Sequence, residues 1–345
     1  MMKAKVFIYV HPFEGMPTEE NFRLIEEDLP PLKDGEFLAE AVYLSVDPYM
    51  RAYAPRLKVG ETMIGSQVAK VIESKSIQFP IGSYVVGVFG WRTHTVVPEN
   101  LPVSQFTPPP VLISYDGSVP LSYYLGVLGM PGATAYFGFL DICKPKPGET
   151  VVVSGAAGAV GSHVGQIAKI KGCKVIGIAG SDQKCQWLKT IGFDFVINYK
   201  KDNVEQALRA AAPNGVDCYF DNVGGEITTT VINQMNRFGR VSCCGAIASY
   251  NDNTPAKAIA SYNDNTPAKV TTFLLPVILQ ELEFKGFVIY TWRNKWNEAV
   301  KRNQEWMTEG KLQYQETITE GFENMPKALI QLMQGKNVGK AIVKV

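Results

Sequence analysis

Along the first 125 residues the apolar positions come in short runs, several of them alternating with polar ones. They fall at 5–10, 37–46, 67–73, 84–89 and 92–97. Gly and Pro interrupt them at short intervals, as at Gly35, Gly60, Gly65, Gly82, Gly90 and Pro98. That texture predicts a domain of small strands. From residue 126 the period changes. Apolar blocks at 150–154, 174–178, 195–198, 216–221 and 240–244 read as strands. Between them 160–171, 182–191, 204–212 and 228–235 read as helices, the first two followed by Gly172 and Gly192. Alternation of this kind predicts an α/β fold with a doubly wound parallel sheet, helices on both faces. The tail reads as a strand at 315–319, a helix at 325–334 ended by Gly335 and a strand at 339–345.

One segment repeats. Residues 247–257 and 259–269 carry the same eleven letters, IASYNDNTPAK. A repeat architecture needs at least three units sharing a core. This polar pair has none, so it reads as a tandem duplication within a surface loop.

Composition narrows the function classes. The 345 residues include 34 Lys and Arg against 33 Asp and Glu, a net charge of +1. No bulk basic excess exists to drive nucleic-acid binding. No apolar run approaches the roughly 18 residues of a membrane span, and the N-terminal apolar stretch is too short for a signal peptide. A cytoplasmic protein is expected. The six cysteines, all beyond residue 142, form no CxxC pair and are expected to be free and buried.

The strongest chemical signal is Val151-Val152-Val153-Ser154-Gly155-Ala156-Ala157-Gly158-Ala159-Val160-Gly161. A β-branched strand enters a small-residue turn and a helix follows, the context a dinucleotide fingerprint requires. Gly158 admits a pyrophosphate to the backbone, and Gly161 lets the helix pack on the strand. The helix N-terminus offers amides and the positive end of its dipole. A tight βα turn without a ligand has the same look. The next strand ends in Gly180-Ser181, small and neutral where an NAD enzyme usually has an acid for the ribose. Asp182 is either that acid or the N-cap of the following helix. Lys184 beside it favours the 2′-phosphate of NADP, unless it is an ordinary solvated helix residue.

Other chemistries lack residues. The only histidines are His11, His94 and His163, with no metal-binding spacing and no cysteine in the first 142 positions, so no metal site is expected. No GxSxG elbow supports a hydrolytic triad. His163 reads as a helix residue and His94 as a strand surface residue.

Many short stretches, in order along the whole chain, now carry a resemblance. They include Val46-Asp47-Pro48-Tyr49-Met50-Arg51, Gly129-Met130-Pro131-Gly132, Gly158-Ala159-Val160-Gly161-Ser162, Asp221-Asn222-Val223-Gly224-Gly225, Glu320-Gly321-Phe322-Glu323-Asn324-Met325-Pro326 and Asn337-Val338-Gly339-Lys340. The sequence resembles the zinc-independent prostaglandin reductase 1 group of the medium-chain dehydrogenase/reductase superfamily. The resemblance implies a β-rich, GroES-like catalytic domain at 1–125 and 313–345, to which the last strand returns, and a Rossmann dinucleotide-binding domain at 126–312. It implies NADPH as cofactor and a homodimer. Ala157, Gly158, Ala159 and Val160 match the pyrophosphate cradle, and Lys184 and Tyr199 the 2′-phosphate pair, beside Gly180 and Ser181. Asn222 matches the nicotinamide side. Cys244, Gly245, Ala246, Ile247 and Tyr250 match one cofactor-facing loop, Phe287, Val288, Ile289 and Tyr290 another, and Asn337 a late contact. Tyr49, at the end of a strand, and Tyr250 match positions lining the substrate cleft. On the residues alone both are more often half-buried core aromatics. The duplication puts Tyr262 in competition with Tyr250, and the apolar, proline-rich segment 106–113 is a second departure.

The expected activity is NADPH-dependent reduction of the α,β-double bond of enones and enals such as 15-oxo-prostaglandins and lipid-peroxidation alkenals, with leukotriene B4 12-hydroxyl oxidation as a further family activity. A phenol, ordinarily ionising near about 10, is a proton donor for such a step. The alternatives are an NADPH quinone reductase and a non-catalytic NADPH-binding protein.

Overall fold

The computed structural model describes residues 2–99, 108–252 and 274–345. Tyr262, most of the duplicated segment and residues 106–107 lie outside them. The chain divides into two units, Met1–Gly129 with Gln315–Val345, and Met130–Tyr314.

The first unit opens with an antiparallel ribbon, β1 (Lys3–Tyr9) against β2 (Phe22–Asp28). Then come β3 (Phe37–Val46), a short helix α1 (Tyr49–Tyr53), β4 (Gln67–Ser74), β5 (Tyr84–Gly87), β6 (His94–Val97) and β7 (Val111–Ile113). The long β3 is the organiser: it pairs antiparallel with both β4 and β6. Its inward residues Phe37, Ala39, Ala41, Leu44 and Val46 are buried, and burial of apolar area of this kind is the main favourable term in folding. Tyr49 does not end a strand. Pro48, with φ fixed near −60°, starts α1 there.

The second unit begins with α2 (Met130–Phe137), which runs into a π-helical turn at Gly138–Cys143. Strands and helices then alternate: β8 (Thr150–Ser154), α3 (Ala159–Ile170), β9 (Lys174–Ala179), α4 (Asp182–Thr190), β10 (Phe195–Asn198), α5 (Val204–Ala211), β11 (Val216–Asp221), α6 (Gly225–Ile232) and β12 (Met235–Cys243). After α7 (Leu274–Leu279) and β13 (Glu283–Gly286), α8 (Trp296–Thr308) closes the unit. The sheet order is β10-β9-β8-β11-β12-β13, all parallel. Counted from β8 this is 3-2-1-4-5-6, the doubly wound dinucleotide-binding order. Strands β8, β9 and β11 are buried on both faces and read as near-continuous apolar runs. The expected helix at 228–235 sits three residues earlier, because Gly225 takes the first helical position and Met235 already belongs to β12.

The tail completes the first unit: β14 (Glu316–Glu320), α9 (Met325–Met333) and β15 (Lys340–Lys344). β15 lies between β14, parallel, and β3, antiparallel. Among the described residues no helix is long and apolar enough to cross a membrane. Four of the cysteines are buried and Cys243 and Cys244 are partly so, all of them free.

One buried polar contact makes the second unit acid-sensitive. His163 on α3 is 1% exposed, and its Nε2 lies 3.1 Å from Asn303 Oδ1 on α8. Its Nδ1 has no hydrogen-bond partner among the described residues. Burial therefore holds the imidazole pKa down, from 6.5 to about 4. Above pH 6.5 the ring is neutral both folded and unfolded. Below it the unfolded chain takes up a proton that the folded chain refuses, and stability falls until about pH 4. The full loss is roughly 3 kcal/mol. His163→Gln is expected to flatten this part of the profile, so denaturant melts of both proteins at neutral pH and near pH 4 should converge at the acid end. Equal acid losses in the two would remove His163 as the cause.

Candidate functional site

In a doubly wound sheet the ligand crevice opens where the strand order reverses, outside the C-terminal ends of the strands. Here that point lies between β8 and β11. The turn after β8 is Gly155-Ala156-Ala157-Gly158, and α3 follows with Gly158 as its N-cap, which supplies no side-chain cap. The amides of the first turn of a helix have no intrahelical partner. Ala156 and Ala157 are buried, while Gly158, Ala159 and Val160 remain partly exposed. Gly161 allows the close approach: a Cβ there would lie 2.5 Å from Gly155 O and 2.8 Å from Ala156 Cα. At Gly158 the nearest atom to an added Cβ is Gly155 O at 3.3 Å, so the outer side of the turn is open. A pyrophosphate fits this cradle.

The turn after β11 is tied to the first. Asn222 Nδ2 donates to Ser154 O at 2.7 Å, and the Asn222 amide donates to the Ser154 hydroxyl at 3.0 Å. The segment after β12 folds onto the same place: the Ile247 and Ala248 amides reach Asn222 O and Val223 O at 3.4 and 3.0 Å. Tyr250 closes this segment on itself, its hydroxyl accepting from Ala246 N–H at 3.2 Å. Cys244, Gly245, Ala246, Ile247, Tyr250 and Asn222 therefore come together at one edge of the crevice.

The tip of β9 gathers the other expected group. The Ser181 hydroxyl accepts from the Lys184 amide at 3.3 Å and caps α4. Asp182 is thus not the cap. Its carboxylate accepts from Asn198 Nδ2 at 2.8 Å and pairs with Lys201. Gly180 sits against Tyr199, where a Cβ would come within 2.7 Å of the phenol oxygen. Burial, and after it the neighbouring Lys200, hold the Lys184 ammonium below its ordinary pKa. Two cations that repel each other here form a site that a phosphate dianion relieves. Lys200 was not among the expected residues. Its closeness to Lys184 depends on β10 ending beside the start of α4, which local sequence does not report.

The loop after β13 is placed differently. Ile289 is buried and Phe287 partly so, packing with Phe137 and Trp292, while Val288 is exposed. The side chains of Phe287 and Ile289 are committed to the core. Tyr290 is half-buried, with Arg293 over its ring.

Tyr49 and Asn337 belong to the first unit. Tyr49 is half-buried, 5.8 Å ring to ring from Tyr53. The turn before it is pinned by a buried ion pair: Lys340 Nζ donates to Asp47 Oδ1 and to Val46 O, both at 2.7 Å, and the Ser45 hydroxyl also donates to Asp47. Asn337, three residues before Lys340, donates its amide to Gly339 O at 2.8 Å. Among the described residues no group of three or more His, Cys, Asp or Glu comes together to hold a metal ion.

Comparison with known proteins gives a consistent relation. Residues 5–103 match the family described as N-terminal domain of oxidoreductase, and residues 159–305 the family described as zinc-binding dehydrogenase. The chain is 51% identical to prostaglandin reductase 1 of Bos taurus, covering 100% of both. It is 37% identical to the 2-alkenal reductase (NADP(+)-dependent) of Nicotiana tabacum, covering 96% of this chain and 94% of that one. Among solved structures, CurA from Vibrio vulnificus in complex with NADPH superposes with a TM-score of 0.89 at 36% identity, covering 99% of each chain. With identity of this extent over the whole chain and the same fold, the protein belongs to the prostaglandin reductase 1 family of the medium-chain dehydrogenase/reductase superfamily.

Proposed function

We propose that the chain is an NADPH-dependent oxidoreductase that reduces the α,β-double bond of enones and enals, with 15-oxo-prostaglandins and 2-alkenals as its substrate class. The observation that carries the reading within the family is the tip of β9, where Lys200 acts on Lys184, Tyr199 lies against Gly180, and the acid expected of an NAD site is replaced by Gly180-Ser181. In this reading the second unit is the cofactor domain, the first the GroES-like catalytic domain, and the working form a cytoplasmic homodimer.

When bound, NADPH supplies the hydride that the β-carbon of the substrate accepts. The chain's own residues do the rest. The α3 N-terminus and Gly158 bind the pyrophosphate; Lys184, Lys200 and Tyr199 hold the 2′-phosphate. Asn222 and the 244–247 segment shape the nicotinamide side, and the backbone of the Phe287–Tyr290 loop, whose Phe287 and Ile289 side chains pack in the core, adds cofactor contacts. Negative charge develops on the substrate carbonyl oxygen, where a hydrogen-bond donor is most effective. The Tyr250 phenol, accepting from Ala246 N–H, is polarised toward donating a hydrogen bond to that oxygen, and the α-carbon takes its proton from Tyr250 or from water.

Loss of NADPH absorbance with 15-oxo-prostaglandin E and with a medium-chain alkenal tests this directly. Turnover is expected with NADPH at no less than about 10–100 times the efficiency seen with NADH, the worth of a single charge-assisted contact to the extra phosphate. Measurable NADPH binding without turnover of either substrate would leave a cofactor-binding protein and end the reductase reading.

A further inference from the structure

Asp221 ends β11 and is 3% exposed. Five donors converge on its carboxylate. Oδ1 accepts from the Ser154 hydroxyl at 2.9 Å, the Tyr219 hydroxyl at 2.8 Å, and the Val223 and Gly224 amides at 2.9 and 3.0 Å. Oδ2 accepts from the Thr228 hydroxyl at 2.5 Å. All five are hydroxyls or amides and none is a cation. The Asp221 backbone carbonyl meanwhile accepts from the Cys244 and Gly245 amides at 2.8 and 3.1 Å.

A buried carboxylate satisfied by neutral donors gives up its hydration without a counter-ion. What it gains here is geometric. The side chain joins the end of β8 through Ser154, the turn 222–225 through two amides, and α6 through Thr228. Gly224 and Gly225 both take positive φ, 76° and 65°, and Gly224 caps α6 with no side chain. The carboxylate instead holds the turn just before the helix, through the Val223 and Gly224 amides, and reaches α6 itself through the Thr228 hydroxyl. The backbone carbonyl adds the segment after β12. Every segment that the cofactor reading assigns to the nicotinamide side is therefore hydrogen-bonded to this one residue.

We propose that Asp221 is a positioning residue for the nicotinamide half of the cofactor site, acting through the 222–225 turn and the 244–245 segment without touching the ligand. The proposal rests on the NADPH reading given above. It separates the two halves of the cofactor: the 2′-phosphate group at Gly180, Lys184 and Tyr199 lies at the tip of β9, outside this network.

The test compares two ligands on the full chain, NADPH and adenosine 2′,5′-bisphosphate, which lacks the nicotinamide half. Dissociation constants are read by calorimetry for the wild type, Asp221→Asn, Thr228→Val and Tyr219→Phe. Asp221→Asn is expected to weaken NADPH about tenfold or more while bisphosphate binding stays within about twofold, and Thr228→Val to move NADPH alone by roughly threefold. If Asp221→Asn does not fold, the Thr228 and Tyr219 variants, each removing one donor, carry the same comparison. Equal weakening of both ligands makes the effect general to the fold and overturns the proposal, as does NADPH binding unchanged in every folded variant. Wild-type protein that binds neither ligand overturns the cofactor reading and the proposal together.

Discussion

Lys340→Met is expected to destabilise the first unit by about 3–5 kcal/mol, lowering its melting temperature by roughly 10 °C. Lys340 is 1% exposed and its partner Asp47 5%. Burial alone lowers the lysine pKa, and Asp47 opposes that shift, so each charge is tolerated because of the other. Methionine keeps most of the stem's volume and removes only the ammonium. It leaves the Asp47 carboxylate buried with the Ser45 hydroxyl as its remaining hydrogen-bond donor of those named above, and leaves Val46 O without the lysine. The double variant Lys340→Met, Asp47→Asn should recover part of the loss, because the uncompensated charge is then gone. Denaturant melts of the two variants measure this. A loss below about 1 kcal/mol, the value of an exposed pair, would show that water reaches the pair.

Much of the second unit was legible because its signals are local. β8, β10 and β11 run over 150–154, 195–198 and 216–221, as their apolar blocks predict, and β3 over 37–46. β8, β11 and β3 are buried over most of their length and β10 over its last two residues. What escaped was structure held by position in the fold. β2, sequence FRLIEED, is half-solvated in a two-stranded ribbon and its acidic face hides the alternation. α2 has Pro131 and Gly132, poor helix formers, in its first turn, and is held by burial of six of its eight residues. β13 is an exposed edge strand with no apolar face to announce it. The site divides the same way. The glycine cradle is contiguous in sequence and readable there. Ser181 rather than Asp182 capping α4, Lys200 beside Lys184, and the convergence on Asp221 all require strand tips that only the sheet order brings together.

Lys184→Ala is expected to weaken NADPH binding by about 10–100-fold and to leave NADH binding within about twofold. The range follows from the roughly 1.5–3 kcal/mol of a hydrogen bond to a charged group, at 1.4 kcal/mol per tenfold. Lys184 is a better site for this than an exposed lysine, for two reasons. It is half-buried, so solvent screens its charge less. Burial and Lys200 both push its pKa down, and a bound phosphate reverses both influences by supplying a counter-charge. The 2′-phosphate would therefore bind with proton uptake by any neutral fraction of Lys184, and NADPH affinity should decline as pH rises through the lowered lysine pKa, whereas NADH affinity should not. Lys200→Ala should act in the same direction and less strongly, since Lys200 is exposed. Added salt should weaken NADPH more than NADH in the wild type and narrow that gap in Lys184→Ala. Titrations of both cofactors, monitored by quenching of protein fluorescence, provide the measurement. A variant that loses NADPH and NADH equally would place Lys184 in the scaffold of α4 and move the phosphate site elsewhere.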